Sequence, residues 1–117
     1  MSNVQIYHNP RCSKSRETLA LLRAQGIEPQ VILYLETPPD IATLATLLQQ
    51  LGMSSARELM RIKENDYITL GLDDVQVGES QLMHAMASRP KLIERPIVVA
   101  NGQARIGRPP RKVLEIL

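Results

Sequence analysis

Among the side chains that could do chemistry, one sulfur atom stands out. Cys12 is the only cysteine in 117 residues, and it lies in Ile6-Tyr7-His8-Asn9-Pro10-Arg11-Cys12-Ser13-Lys14-Ser15-Arg16. A free cysteine is most often a small, inert, buried hydrophobe. Such a residue usually sits in an apolar run, whereas Cys12 has polar or charged neighbours on both sides. Thiolates, not thiols, are nucleophiles, and nearby cations and helix starts favour the thiolate. Arg11, Lys14 and Arg16 bring the cations. Pro10 interrupts the strand that precedes them. From Ser15 a helical period runs through Leu19, Ala20 and Leu22 to Gly26. Cys12 therefore belongs at a strand-to-helix turn, where unpaired N–H groups would stabilise a thiolate and hold an oxyanion beside it. Its alkylation midpoint is expected to lie below that of free cysteine, about 8.5.

The spacing around the thiol excludes several chemistries. Cys12-Ser13-Lys14-Ser15 has the C-x-x spacing of redox folds with serine in place of a second cysteine. No dithiol can form within the chain, so anything attached to Cys12 must be resolved by an external thiol. The C-x5-R loop of cysteine phosphatases is absent, because Thr18 occupies the arginine position. One cysteine with His8 and His84 offers no zinc spacing, and no P-loop or dinucleotide glycine pattern occurs. Two roles are open to Ser15: donating its hydroxyl to the sulfur, or ordinary polarity in a first helical turn. His8, at the strand side of the turn, is either a hydrogen-bonded structural residue or an electrostatic support for the thiolate.

Composition narrows the class. The chain is 44% hydrophobic and 22% charged with a formal charge of +2, a globular balance for one domain spanning residues 1–117. Phe and Trp are absent, so the core is expected from Leu, Ile, Val, Met and Ala. Scattered arginines and few aromatics argue against nucleic acid. No run suits a membrane helix and no signal-peptide pattern appears. With a lone thiol, these point to a cytoplasmic protein.

The elements that must position the thiol follow in order. Val4, Ile6 and Tyr7 form the first strand. Gln30-Val31-Ile32-Leu33-Tyr34-Leu35 is nearly all apolar, the pattern of an interior strand covered on both faces. Strand, helix and strand at this spacing form a parallel βαβ unit. Thr37-Pro38-Pro39-Asp40 breaks the chain and caps a helix carrying Ile41, Leu44, Leu47, Leu48 and Leu51. Ser55-Ala56-Arg57-Glu58 is a capping box opening a short helix through Leu59, Met60 and Arg61. Lys63–Leu70 and a segment with Leu82, Ala85 and Met86 are further helices, making a helical insert of about residues 38–89. Ile97-Val98-Val99-Ala100 is then a strand, Asn101-Gly102 a hairpin turn, and Gln103 to Ile106 its antiparallel return. Val113, Leu114 and Leu117 share one side of a last helix. The order β-α-β, helical insert, β-β-α is an α/β, thioredoxin-like arrangement with a mixed four-stranded sheet.

Arginine's planar fork suits tetrahedral oxyanions, and three positions qualify. Arg95 precedes Pro96, where thioredoxin-like folds start a strand with a cis-proline beside the thiol. Arg108 lies in the rigid Gly107-Arg108-Pro109-Pro110 turn. Arg61 ends the short helix of the insert, with Arg57 as competitor. Arg111 and Lys112 fall in a first helical turn, where the dipole disfavours cations.

These residues together resemble the ArsC family of arsenate reductases, the glutaredoxin-coupled, thioredoxin-like type, nearly end to end. The matching stretches are Ile6-Tyr7-His8-Asn9-Pro10 with Cys12, Ser15 and Arg16; Leu33-Tyr34-Leu35-Glu36; Ala56-Arg57-Glu58-Leu59-Met60-Arg61; Arg95-Pro96-Ile97-Val98-Val99; and Arg108-Pro109. The likeness is to the short bacterial branch typified by the YfgD proteins. It implies that Cys12 attacks arsenate, that Arg61, Arg95 and Arg108 bind the oxyanion, and that His8 supports the thiolate. It also implies glutathione as co-substrate, glutaredoxin as the partner that clears the mixed disulfide, and no bound cofactor. At Ser13-Lys14 the characterised reductases favour a Gly-Thr pair. Two rival readings share the fold: an Spx-like regulator of RNA polymerase, against which Ser15 in place of a second cysteine argues, and a glutathione-dependent thiol-transferase.

Overall fold

The computed structural model describes residues 3–117. The chain forms two compact units, one holding the residues up to Thr37 together with Arg95–Leu117, the other Pro38–Glu94.

The first unit is built on a sheet. Strand β1 (Gln5–Tyr7) leads through the Cys12 turn into helix α1 (Ser13–Ala24) and returns as β2 (Gln30–Ile32). β1 and β2 pair in parallel, Gln5 opposite Gln30 and Tyr7 opposite Ile32. On its other side β1 pairs antiparallel with β3 (Ile97–Ala100), Ile6 opposite Val98, and β3 pairs with β4 (Gln103–Ile106). The strand order β2-β1-β3-β4 is the expected mixed four-stranded, thioredoxin-like sheet. Asn101 and Gly102 make the hairpin with φ of 54° and 76°, the positive values that a two-residue type I′ loop requires. Val4, Ile6, Leu22, Val98, Ala100, Val113 and Ile116 form one apolar core cluster.

Two expectations for this unit fail. β2 is an edge strand, not an interior one: it has one neighbour, and Val31 is 36% exposed. Its apolar run ends in a turn that buries Tyr34 instead of extending the ladder. The last segment, Pro110–Ile116, is a 3₁₀ helix. With three residues per turn, i and i+3 align, so Val113 and Ile116 face the core while Leu114 and Leu117 stay exposed.

The second unit is helical. Asp40 caps α2 (Ile41–Leu51) by accepting from the Thr43 amide at 2.8 Å, and Gly52 closes it. The capping box of Ser55 and Glu58 opens a 3₁₀ turn over Ala56–Leu59. Glu79, from α4 (Glu79–Ser88), accepts from the Ala56 amide at 2.6 Å and the Ser55 hydroxyl at 2.7 Å. That carboxylate ties two helix starts together. Leu44, Leu47, Leu59, Leu82, Met86 and Leu92 are buried. The helix expected over Lys63–Leu70 shortens to α3 (Asn65–Thr69). The 3₁₀ turn stops at Leu59, so Arg61 lies beyond it: Met60 bridges Ile93, and the Arg61 amide donates to the Leu92 carbonyl at 2.7 Å. Pairing with Leu92 and Ile93 ends the turn two residues before the capping pattern suggests.

All three tyrosines, Tyr7, Tyr34 and Tyr67, are buried, adding aromatic volume to a core expected from aliphatic residues alone. Among the described residues no helix is long and apolar enough to cross a membrane.

Candidate active site

Cys12 is the N-cap residue of α1, with extended backbone (φ −93°, ψ 124°), and it is partly exposed. The turn before it is tied by its own polar groups. The Cys12 amide donates to the Asn9 carbonyl at 3.0 Å, the Arg11 amide to Asn9 Oδ1 at 3.0 Å, and Arg16 Nη1 to the Pro10 carbonyl at 2.9 Å. Arg16, counted in the sequence as thiolate support, thus holds the turn's backbone.

Ser15 is fully buried. Its Oγ accepts from the Asn9 amide at 3.0 Å and lies 2.6 Å from His8 Nδ1. The direction of the His8–Ser15 bond follows the ring's tautomer, since the hydroxyl has both a proton to give and a second lone pair to accept with. Burial lowers the His8 pKa, and the Arg23 and Arg16 charges lower it further. The cationic form of His8 is thus disfavoured relative to a free imidazole, and the ring holds the first turn of α1 through Ser15. The Ser15 hydroxyl is likewise turned to His8, while its backbone N–H faces the sulfur.

Arg108 reaches the thiol directly. Its Nη2 lies 3.8 Å from Cys12 Sγ, and its Nε donates to the Arg95 carbonyl at 2.9 Å. Arg95 and Arg108 each precede a cis prolyl bond. Gly107 sets the course of this turn. Its amide donates to the Pro96 carbonyl at 3.0 Å, and a Cβ at this position would collide with the Thr18 side chain and the Pro96 ring. Thr18, fully buried in α1, is thus a positioning contact that the sequence pattern did not reveal. A glycine wedged between a strand and Arg108 was the available signal.

Burial pushes the Cys12 thiol up. The Ser15 N–H, the Arg95 charge, the Lys14 N–H and the Arg108 charge, in that order, outweigh it and hold the thiol below its ordinary value. The sulfur thus ionises more readily than a free cysteine and lies within reach of a guanidinium fork, an arrangement suited to attack on an electrophilic oxyanion.

The insert arginines have other surroundings. Arg57 donates to the Tyr67 hydroxyl and to the Leu72 and Asp74 carbonyls, with its guanidinium over the Tyr67 ring. It is an internal brace of the Pro38–Glu94 unit. Arg61 in that unit pairs with Glu64 at 3.4 Å, and its Nη1 lies 3.5 Å from the Lys91 carbonyl.

The chain as a whole is similar to known proteins. The chain is 67% identical over 114 residues to YfgD of Escherichia coli K12, covering 97% of this chain and 96% of that one. It is 47% identical over 117 residues to an arsenate reductase of Neisseria meningitidis serogroup A, covering 100% of both. An arsenate reductase structure from Vibrio cholerae superimposes with a TM-score of 0.97 at 63% identity, over 99% of this chain and 98% of that one. The model of the ArsC family matches residues 7–116. With the thiol at a helix start and the arginine at its side, this match makes the chain a member of the ArsC family.

Proposed function

We propose that this protein reduces arsenate to arsenite at Cys12, with glutathione as co-substrate and glutaredoxin as the regenerating partner. The observation that carries the proposal is the guanidinium of Arg108 at 3.8 Å from a thiol whose pKa is lowered. The thiolate attacks arsenic, a sulfur–arsenic bond forms, and one arsenate oxygen leaves, protonated, as water. Arg108 and Arg95 hold the remaining oxygens, and Arg61 is the third candidate for that role. Glutathione's sulfur supplies the second thiol. Arsenic takes up two electrons and departs as arsenite, and the two sulfurs join as a mixed disulfide on Cys12. Glutaredoxin attacks the glutathione sulfur and frees Cys12. An external thiol is required because the chain has no second cysteine.

Steady-state arsenite formation with glutathione and glutaredoxin tests this. Turnover by the wild type and its loss by about 10³-fold or more in Cys12→Ser is expected. No arsenite at any arsenate concentration would remove arsenate as the substrate. Mass spectrometry after arsenate and glutathione is expected to find the glutathione adduct on Cys12.

A further inference from the structure

We infer that the groove outside the carboxyl ends of β1 and β2 is the seat of the peptide thiol, and that Glu36 and Arg11 read its γ-glutamyl end. The inference rests on the proposed reduction, since it assigns that reaction's second thiol a place. The groove encloses about 480 Å³ and is lined by His8, Asn9, Pro10, Arg11, Leu33, Leu35 and Glu36. That volume is in the range of small-molecule sites. One wall is the Asn9-Pro10-Arg11 turn, whose next residue is Cys12; the other is the turn after β2. Crevices beyond the carboxyl ends of parallel strands are where open α/β sheets bind ligands.

The lining has the character of the ligand. Leu33 and Leu35 give apolar surface for a peptide backbone and its methylenes. Arg11 and Glu36 give opposite charges from opposite walls, and among the described residues neither side chain joins an ion pair. A γ-glutamyl group carries an α-carboxylate and an α-ammonium on one carbon, which matches that pair of charges. Arsenate, a small multiply charged anion, gains nothing from Glu36 or the leucines. His8 adds a polar edge: Nδ1 is engaged by Ser15, so Nε2 is the ring atom left for a ligand. This also accounts for an apolar β2 run at a sheet edge, where Leu35 is left exposed.

The test separates binding from turnover. S-methylglutathione, which cannot react, is titrated into the full-length Cys12→Ser variant without arsenate, and backbone amide shifts are followed by NMR. Movement at residues 8–11 and 33–36 is expected; no movement, or movement confined to residues 95–97, overturns the assignment. Glu36→Gln is expected to weaken S-methylglutathione binding about five- to tenfold, as loss of one charge-assisted contact at a solvent-open site. An analogue lacking the γ-glutamyl amine should bind the wild type and Glu36→Gln alike; a mutational loss that persists with it refutes the ammonium contact. If arsenate turnover fails while these shifts appear, the groove stands and only the substrate is wrong.

Discussion

The two units treat the arginines considered for anion binding differently. In the helical unit Arg57 is enclosed by two carbonyls, a tyrosine hydroxyl and a tyrosine ring, and Arg61 is neutralised by Glu64. In the sheet unit Arg23 and Arg105 pair with carboxylates, but Arg108 meets a carbonyl through Nε and a sulfur through Nη2, with no carboxylate partner among the described residues. A guanidinium opposite a carboxylate has its charge cancelled in place. One held by a neutral carbonyl keeps its charge for whatever approaches its other face. The lesson is that fixing an arginine and neutralising it are separate operations, and that the thiol's neighbour is fixed without being neutralised.

The sharpest way to break this contrast is Arg108→Ala. It should lower kcat/KM for arsenate about 10²-fold, the usual loss for one preorganised donor at developing charge. It should also raise the pH midpoint of Cys12 alkylation, because one of the charges that holds the thiol down is gone. Arg108→Lys keeps the charge but not the fork and should fall between. An unchanged midpoint in Arg108→Ala would break the link between this arginine and the thiolate.

Gly107→Ala sharpens the same point without touching a charge. The added methyl meets Thr18 and Pro96, so the turn must move or the core must yield, at about 1–3 kcal/mol. Urea denaturation reads the stability loss, and alkylation against pH should show the midpoint rising as Arg108 shifts. Arg57→Ala is the control from the other unit. It leaves the Tyr67 hydroxyl and two carbonyls without their donor and should cost about 1–3 kcal/mol, with the alkylation midpoint unmoved. A midpoint shift matching that of Arg108→Ala would erase the distinction between the units.

The smallest effect concerns His8. Its folded pKa lies below its ordinary value of 6.5, so between the two values the unfolded chain binds the extra proton. The corresponding stability is full above about pH 6.5 and is lost as pH falls through the folded pKa. His8→Asn keeps an amide that can hydrogen-bond Ser15 but cannot titrate. Urea midpoints from pH 7 to 5 should fall less steeply in this variant than in the wild type. An equal slope would mean that the proton is taken up elsewhere.

Much of this was legible along the chain because its causes are local. Asp40 and Ser55 cap helices because each side chain meets an amide two or three residues away. Asn101-Gly102 turns because both residues tolerate positive φ. Cys12 falls at the start of α1 because Pro10 stops the strand and the helical period begins just after it. The edge position of β2 was not legible, since a run of apolar residues looks alike whether its second face meets a helix or, as here, opens at a groove. Nor was the 3₁₀ pitch of the last segment, where the spacing of Val113 and Ile116 competes with an equally apolar alternative at Leu114 and Leu117.

By itself, then, the sequence determined the single thiol, the helix start that holds it and the order of strands along the chain. Those follow from residue type and neighbours a few positions away. Tertiary structure alone decided that Arg108 meets the sulfur across 96 residues of chain, that Arg57 is a brace, and that His8 is buried against Ser15. A charged or titratable side chain takes its role from the dielectric and the partners around it, and those come from segments that only folding brings together.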